Sequence, residues 1–136
     1  MPRNIARNSL VLLAIFLAIF VPLIVSGYSE LQKATVSSSY LETAGHYRRA
    51  AQRLPWRADL YELAGHAYYY AKDYVQADTV YQKAFSRHAL TPEGWVAWGD
   101  VNYLNKDPGR ATEIWEKAYE QRDPSDQLYS RLGEIY

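Results

Sequence analysis

The residues best suited to acid–base or metal chemistry are three histidines, His46, His66 and His88. No two of them lie four residues apart, the spacing that pairs metal ligands on one helix face. The chain has no His-Glu-x-x-His stretch, no glycine-rich phosphate loop and no Gly-x-Ser-x-Gly elbow. It has no cysteine, so disulfides and thiolate metal sites are excluded. Asn-x-Ser/Thr is also absent, and Asp and Glu are scattered singly. We therefore expect no intrinsic catalysis, no cofactor and no metal. One local concentration of charge remains. Arg48, Arg49, Arg53 and Arg57 fall close together, opposed nearby mainly by Glu42 and Asp59. Beside a bilayer such a cluster can meet anionic headgroups; otherwise it is a solvated helix face.

The elements that position these groups divide the chain sharply. Residues 10–25, LVLLAIFLAIFVPLIV, are sixteen apolar residues without a charge. With their flanks they form a helix of about 30 Å, one bilayer core at about 1.5 Å per residue. Arg3 and Arg7 precede the run, whereas Glu30 and Lys33 follow it without a basic excess. The positive-inside rule then leaves the N-terminus cytoplasmic and the rest of the chain extracytoplasmic. A cleaved signal peptide has the same layout, and Val25-Ser26-Gly27 is a passable small-residue cleavage site. The apolar run is long for a signal core, which favours an uncleaved anchor. No polar stripe marks it as a buried soluble helix.

The remainder is suited to folding. Length, at 136 residues, is that of one modest domain, and a net charge of +0 argues against a general nucleic-acid binder. The 13 Tyr and 4 Trp all follow residue 27. Self-comparison shows an interval of 34: Gly65, Gly99 and Gly133; Tyr61, Trp95 and Tyr129; Ala77 and Ala111; Tyr81 and Trp115; Ala84 and Ala118. Tyr40, Tyr47 and Ala50 precede Tyr74, Tyr81 and Ala84 by the same interval. Each unit reads as two helices. Asp73, Thr91-Pro92-Glu93, Asp107-Pro108 and Asp123-Pro124 are helix starts, each with a capping side chain.

These residues resemble the tetratricopeptide repeat, whose pattern runs Trp, Leu-Gly, Tyr, Ala, Phe or Tyr, Ala and a closing Pro. The first full unit has Tyr61, Ala64-Gly65, Tyr68, Ala77, Tyr81 and Ala84; the second has Trp95, Trp98-Gly99, Ala111, Trp115, Ala118 and Pro124. The second departs at Asn102, where an aromatic is expected, and Pro124 falls one residue late. The first lacks its closing Pro and runs on to Ala89-Leu90-Thr91. Upstream, Tyr40, Tyr47, Ala50 and Pro55 match only a second helix, whose partner would be residues 24–36.

The resemblance implies an all-α fold, a single transmembrane helix followed by a short α-solenoid of helix-turn-helix repeats. Expected boundaries are a basic cytoplasmic segment (1–8), the anchor (9–28) and a juxtamembrane linker (29–39). A half repeat (40–57), repeats at 58–91 and 92–125, and the first helix of an incomplete repeat (126–136) follow. Ser37, Ser38 and Ser39 read as a break and a cap. By matched position the resemblance points Asp59, Glu62, His66, Tyr69 and Tyr70 into a binding groove, with Glu93, Val96, Asp100, Tyr103 and Leu104 from the next unit. Gln127, Ser130 and Glu134 would extend it. Tyr68 would be core. The Lys and Asn with which some relatives clamp a C-terminal carboxylate are missing, so this acidic and aromatic groove would suit a basic segment.

The expected function is a membrane-anchored scaffold, or a small accessory subunit of a larger membrane protein complex. Its partners would be protein chains and, through residues 9–28, the bilayer. A second reading makes these residues the partner-binding front of a longer envelope enzyme, glycan-processing or transferase, with catalysis beyond residue 136. A third is a secreted repeat protein freed of its signal.

Overall fold

The computed structural model describes residues 2–120 and Gly133. The helix expected at 126–136, with Gln127, Ser130 and Glu134, and the start expected at Asp123 lie outside the described residues. Among the described residues there are six α-helices and no strand: α1 Pro2–Val36, α2 Tyr40–Arg53, α3 Asp59–Tyr70, α4 Tyr74–Ser86, α5 Pro92–Leu104 and α6 Pro108–Glu120.

Helix α1 runs unbroken through Pro22 for 35 residues, about 52 Å. Its Arg3–Val36 stretch is long and apolar enough to cross a membrane. Large apolar side chains from Leu10 to Leu23 stay exposed on every side of it, Leu12 at 67% and Phe16 at 53%, whereas Ile24 is half-buried against the core of the other helices. The linker expected at 29–39 contracts to Ser37–Ser39, because residues 29–36 continue α1. The polar composition of 29–36 conceals a buried stripe. Gly27, Glu30 and Ala34 are buried and Leu31 half-buried, a spacing that puts all four on one helix face. Ser39 stands at the N-cap of α2 in extended backbone, but its hydroxyl makes no capping bond.

Each helix packs on the next in order from α1 to α6, and α3 also reaches α5. Later residues of α2 meet earlier residues of α1, so that pair is antiparallel: Arg49 and Arg53 reach Glu30, and Leu54 meets Gly27. The same sense holds in α3–α4, where Tyr69 meets Tyr74 and Gly65 meets Tyr81. Buried alanines, among them Ala44, Ala50, Ala64, Ala77, Ala84 and Ala111, let the backbones approach. Aromatics fill the space beside them.

The 34-residue interval acquires a physical meaning here. A β-carbon on Gly65 would stand 2.6 Å from the Tyr81 ring, and one on Gly99 would overlap the Trp115 indole. The two equivalent glycines therefore seat the two equivalent aromatics. Asn102 is explained too. It is buried, donating to Asp78 Oδ1 at 3.1 Å and to the Trp98 carbonyl at 3.0 Å. Asp78 also accepts from Trp98 Nε1 at 2.7 Å. A phenylalanine at position 102 would have no donor for that carboxylate.

Turn chemistry repeats as well. Lys72 and Lys106, 34 apart, take left-handed backbone with φ of 61° and 63°, and His88 does so at 53°. Each closes a helix by two bonds: Asp73 N to Tyr68 O with Lys72 N to Tyr69 O, and Asp107 N to Asn102 O with Lys106 N to Tyr103 O. Asp73, Thr91 and Asp107 then cap the following helices, accepting from the backbone N–H of Gln76, Gly94 and Arg110.

Candidate interaction site

Helices α3 and α5 lie side by side and enclose an open concavity of about 290 Å³. It is lined by His66, Tyr69, Tyr70, Glu93, Val96, Ala97 and Asp100. Six of these are among the ten residues expected to face the groove; Ala97 was not expected, since a small apolar residue carries no signal of its own. The positions fall within one helical turn on α3 and within two on α5, so a single face of α3 opposes a single face of α5.

The four other expected residues are placed differently. Glu62 is only 7% exposed and does not line the concavity. Its carboxylate accepts from Thr91 N at 2.7 Å and from Thr91 Oγ1 at 3.0 Å. The same hydroxyl accepts from Gly94 N at 3.2 Å. Glu62 thus joins α3 to the positive end of α5 and offers no surface to a partner. Asp59 is exposed but engaged by Arg57, with Nε and Nη2 both at 3.0 Å from its oxygens. Tyr103 and Leu104 are exposed and do not line the concavity. Tyr68 is buried, as a core residue should be.

Tyrosines extend the rim. Tyr70 is 62% exposed and its ring lies 5.4 Å from that of Tyr40 on α2. Tyr69 meets Tyr70 at 5.6 Å and Tyr74 at 6.3 Å. At the floor, His66 Nδ1 lies 2.5 Å from the hydroxyl of fully buried Tyr81. A buried phenol needs an acceptor for its proton, so we assign the hydroxyl as donor and Nδ1 as acceptor. Burial pushes the Tyr81 phenol well above its ordinary range. It also holds the His66 imidazole below its ordinary value, against the opposing pull of Glu62 and Glu93. The lining thus combines two carboxylates, phenols and a preferentially neutral imidazole. Such a surface takes up a cation or a set of hydrogen-bond donors.

The arginine cluster is not four free cations. Arg53 Nη1 donates to Glu30 Oε1 at 3.0 Å and Arg49 Nε to Oε2 at 3.1 Å. His46 Nδ1 stands 2.6 Å from the same Oε2. An ionised carboxylate only accepts, so Nδ1 carries the proton there. The 2.8 Å approach of Arg49 Nη2 to Nδ1 is then a contact between two donors. Arg48 Nη1 donates to Gln76 on α4 at 2.8 Å, and Arg57 is taken by Asp59. Four guanidinium groups therefore serve mainly to hold α2 against α1 and α4, and to fix the corner before α3. The residue that organises them, Glu30, is the only acid before residue 42, and that isolation was the signal available to sequence reasoning.

Comparison with protein-family models finds no match for this chain, and comparison with curated proteins finds no significant one.

Proposed function

We propose that the chain is a membrane-anchored interaction subunit of the tetratricopeptide-repeat type. Residues 9–28 cross the bilayer, the N-terminus is cytoplasmic, and α2 to α6 hold partner proteins at the extracytoplasmic face. The observation that carries this reading is the convergence of His66, Tyr69, Tyr70, Glu93, Val96 and Asp100 on one concave surface. These are residues that the repeat resemblance singles out by position alone. Support for the anchor is the exposed apolar length of α1, continuous with the helix on which α2 packs. A continuous helical junction of that kind suits a subunit that presents its binding face at a set height. The chemistry of the concavity favours a partner segment bearing Arg or Lys, held by charge and by the faces of the tyrosine rings.

A photo-crosslinking residue at Tyr70 in the full chain, followed by mass spectrometry of captured chains from native membranes, tests the site. Capture of a defined basic segment, lost when Glu93 and Asp100 are both changed to Lys, is the expected result. Undiminished capture by that double variant would remove the concavity as the working surface. Orientation is tested separately. A cysteine at exposed Val75, in a chain that otherwise has none, should react with an impermeant reagent outside intact cells.

A further inference from the structure

We infer that the corner between α2 and α3, Pro55-Trp56-Arg57, lies in the lipid headgroup layer together with Tyr28, so that the helical domain rests on the membrane. The inference builds on the reading of α1 as membrane-spanning and adds a second point of lipid contact.

Height above the bilayer decides it. The apolar run of α1 ends at Val25, and Gly27 lies two residues further on, about 3 Å along the helix axis. Gly27 is the contact point for α2: a β-carbon there would stand 2.6 Å from Leu54 Cγ, and Leu54 is completely buried. Leu54 is therefore tied to the level at which α1 leaves the apolar layer. Helix α2 runs antiparallel to α1 and so descends toward the membrane. Helix α3 starts at Asp59 and turns back. Residues 55–58 form the lower corner of this pair. The headgroup region of a bilayer is about 5–8 Å deep on each side, so a corner about 3 Å above the apolar run falls inside it.

The residues exposed at that corner are the ones such a layer favours. Trp56 is 56% exposed and Tyr28 47% exposed. Burial would suit a tryptophan ring better than water, and Trp and Tyr collect at membrane interfaces, where ring and polar edge are both satisfied. Arg57 follows Trp56 in the chain and is held in its charged form chiefly by Asp59 and further by Tyr28. The other tryptophans, Trp95, Trp98 and Trp115, are all buried, at 7%, 5% and 2% exposure. Trp56 is thus the one tryptophan among the four that the fold leaves uncovered, and it stands at the level of the membrane surface. The contact is aromatic rather than basic, because Arg49 and Arg53 are already taken by Glu30.

The test uses the full chain in phosphatidylcholine vesicles whose acyl chains carry bromine, which quenches nearby tryptophan emission. The native chain should lose emission relative to vesicles without bromine, and Trp56→Phe should abolish that loss, since the three buried tryptophans are shielded. Equal quenching of native chain and Trp56→Phe overturns the inference. Phe20→Trp on the Trp56→Phe background reports the span by itself. Its quenching without any from Trp56 overturns the interfacial corner and leaves the span standing. Quenching from neither position overturns both.

Discussion

Glu62 and Thr91, 29 residues apart in the chain, form the joint between α3 and α5: Thr91 donates both its backbone N–H, at 2.7 Å, and its hydroxyl, at 3.0 Å, to the Glu62 carboxylate. The carboxylate is buried at the N-terminus of α5, where unpaired N–H groups and the helix dipole favour a negative charge. Gly94 makes the approach possible, because a β-carbon there would collide with the Glu62 carboxylate.

Glu62→Lys should therefore unfold rather than rewire. It removes a charged acceptor and puts a cation at the positive helix end, a loss of about 2–4 kcal/mol. Thermal melting of the purified full chain in detergent checks this. Glu93→Lys, at an exposed position lining the concavity, should shift the melt far less. Equal melts for wild type and Glu62→Lys would refute the joint.

Gly99→Leu should be destabilising by overpacking. Even one added carbon at this position overlaps Trp115, and the cost of such insertions is about 1–3 kcal/mol. Gly65→Leu, against Tyr81, should behave in the same way. A denaturant melt with an unchanged midpoint for either variant would contradict the packing of equivalent glycines on equivalent aromatics.

Lys106→Gly should stabilise. Lys106 holds φ at 63° with no glycine to relieve it, and left-handed backbone costs an L-residue about 1 kcal/mol. Its backbone bond to Tyr103 O is kept in the variant. A gain of about 0.5–1 kcal/mol is expected, offset in part by glycine's greater freedom when unfolded. Differential scanning calorimetry measures it.

Acidification should weaken the fold through His66. Burial keeps its imidazole neutral to lower pH than in the unfolded chain. The stabilising contribution is complete above about pH 6.5, where the unfolded side chain is also neutral. It declines as pH falls below that value, because the unfolded state takes up the proton first. His66→Asn, which keeps an acceptor toward Tyr81, should flatten the dependence of the urea midpoint between pH 7.5 and pH 5.5. An unaltered pH dependence would show that His66 does not contribute.

Much of the architecture was legible in the residues. The interval of 34 located the helix pairs, and Asp73, Thr91 and Asp107 marked helix starts that the backbone bonds bear out. The lining of the concavity was legible in part. Matched positions identified six of the seven lining residues, because helical periodicity assigns a face. The same periodicity could not separate Glu62 from its neighbours, since the residue that buries it arrives from another helix. The polar stretch after Tyr28 resembled a linker because its stripe of Glu30, Leu31 and Ala34, continuing from Gly27, has meaning only once α2 lies against it.

What the sequence determined alone is therefore local. It set helix, cap and turn through hydrogen bonds spanning a few residues, and it marked a helix apolar enough to need an apolar environment. What only the tertiary structure decided is which charges are spent internally. Glu30 gathers His46, Arg49 and Arg53, Glu62 holds Thr91, and Asp78 receives Trp98 and Asn102. The physical reason is that a buried or half-buried carboxylate must find its donors within hydrogen-bonding reach, and packing of distant segments, not spacing along the chain, brings those donors there.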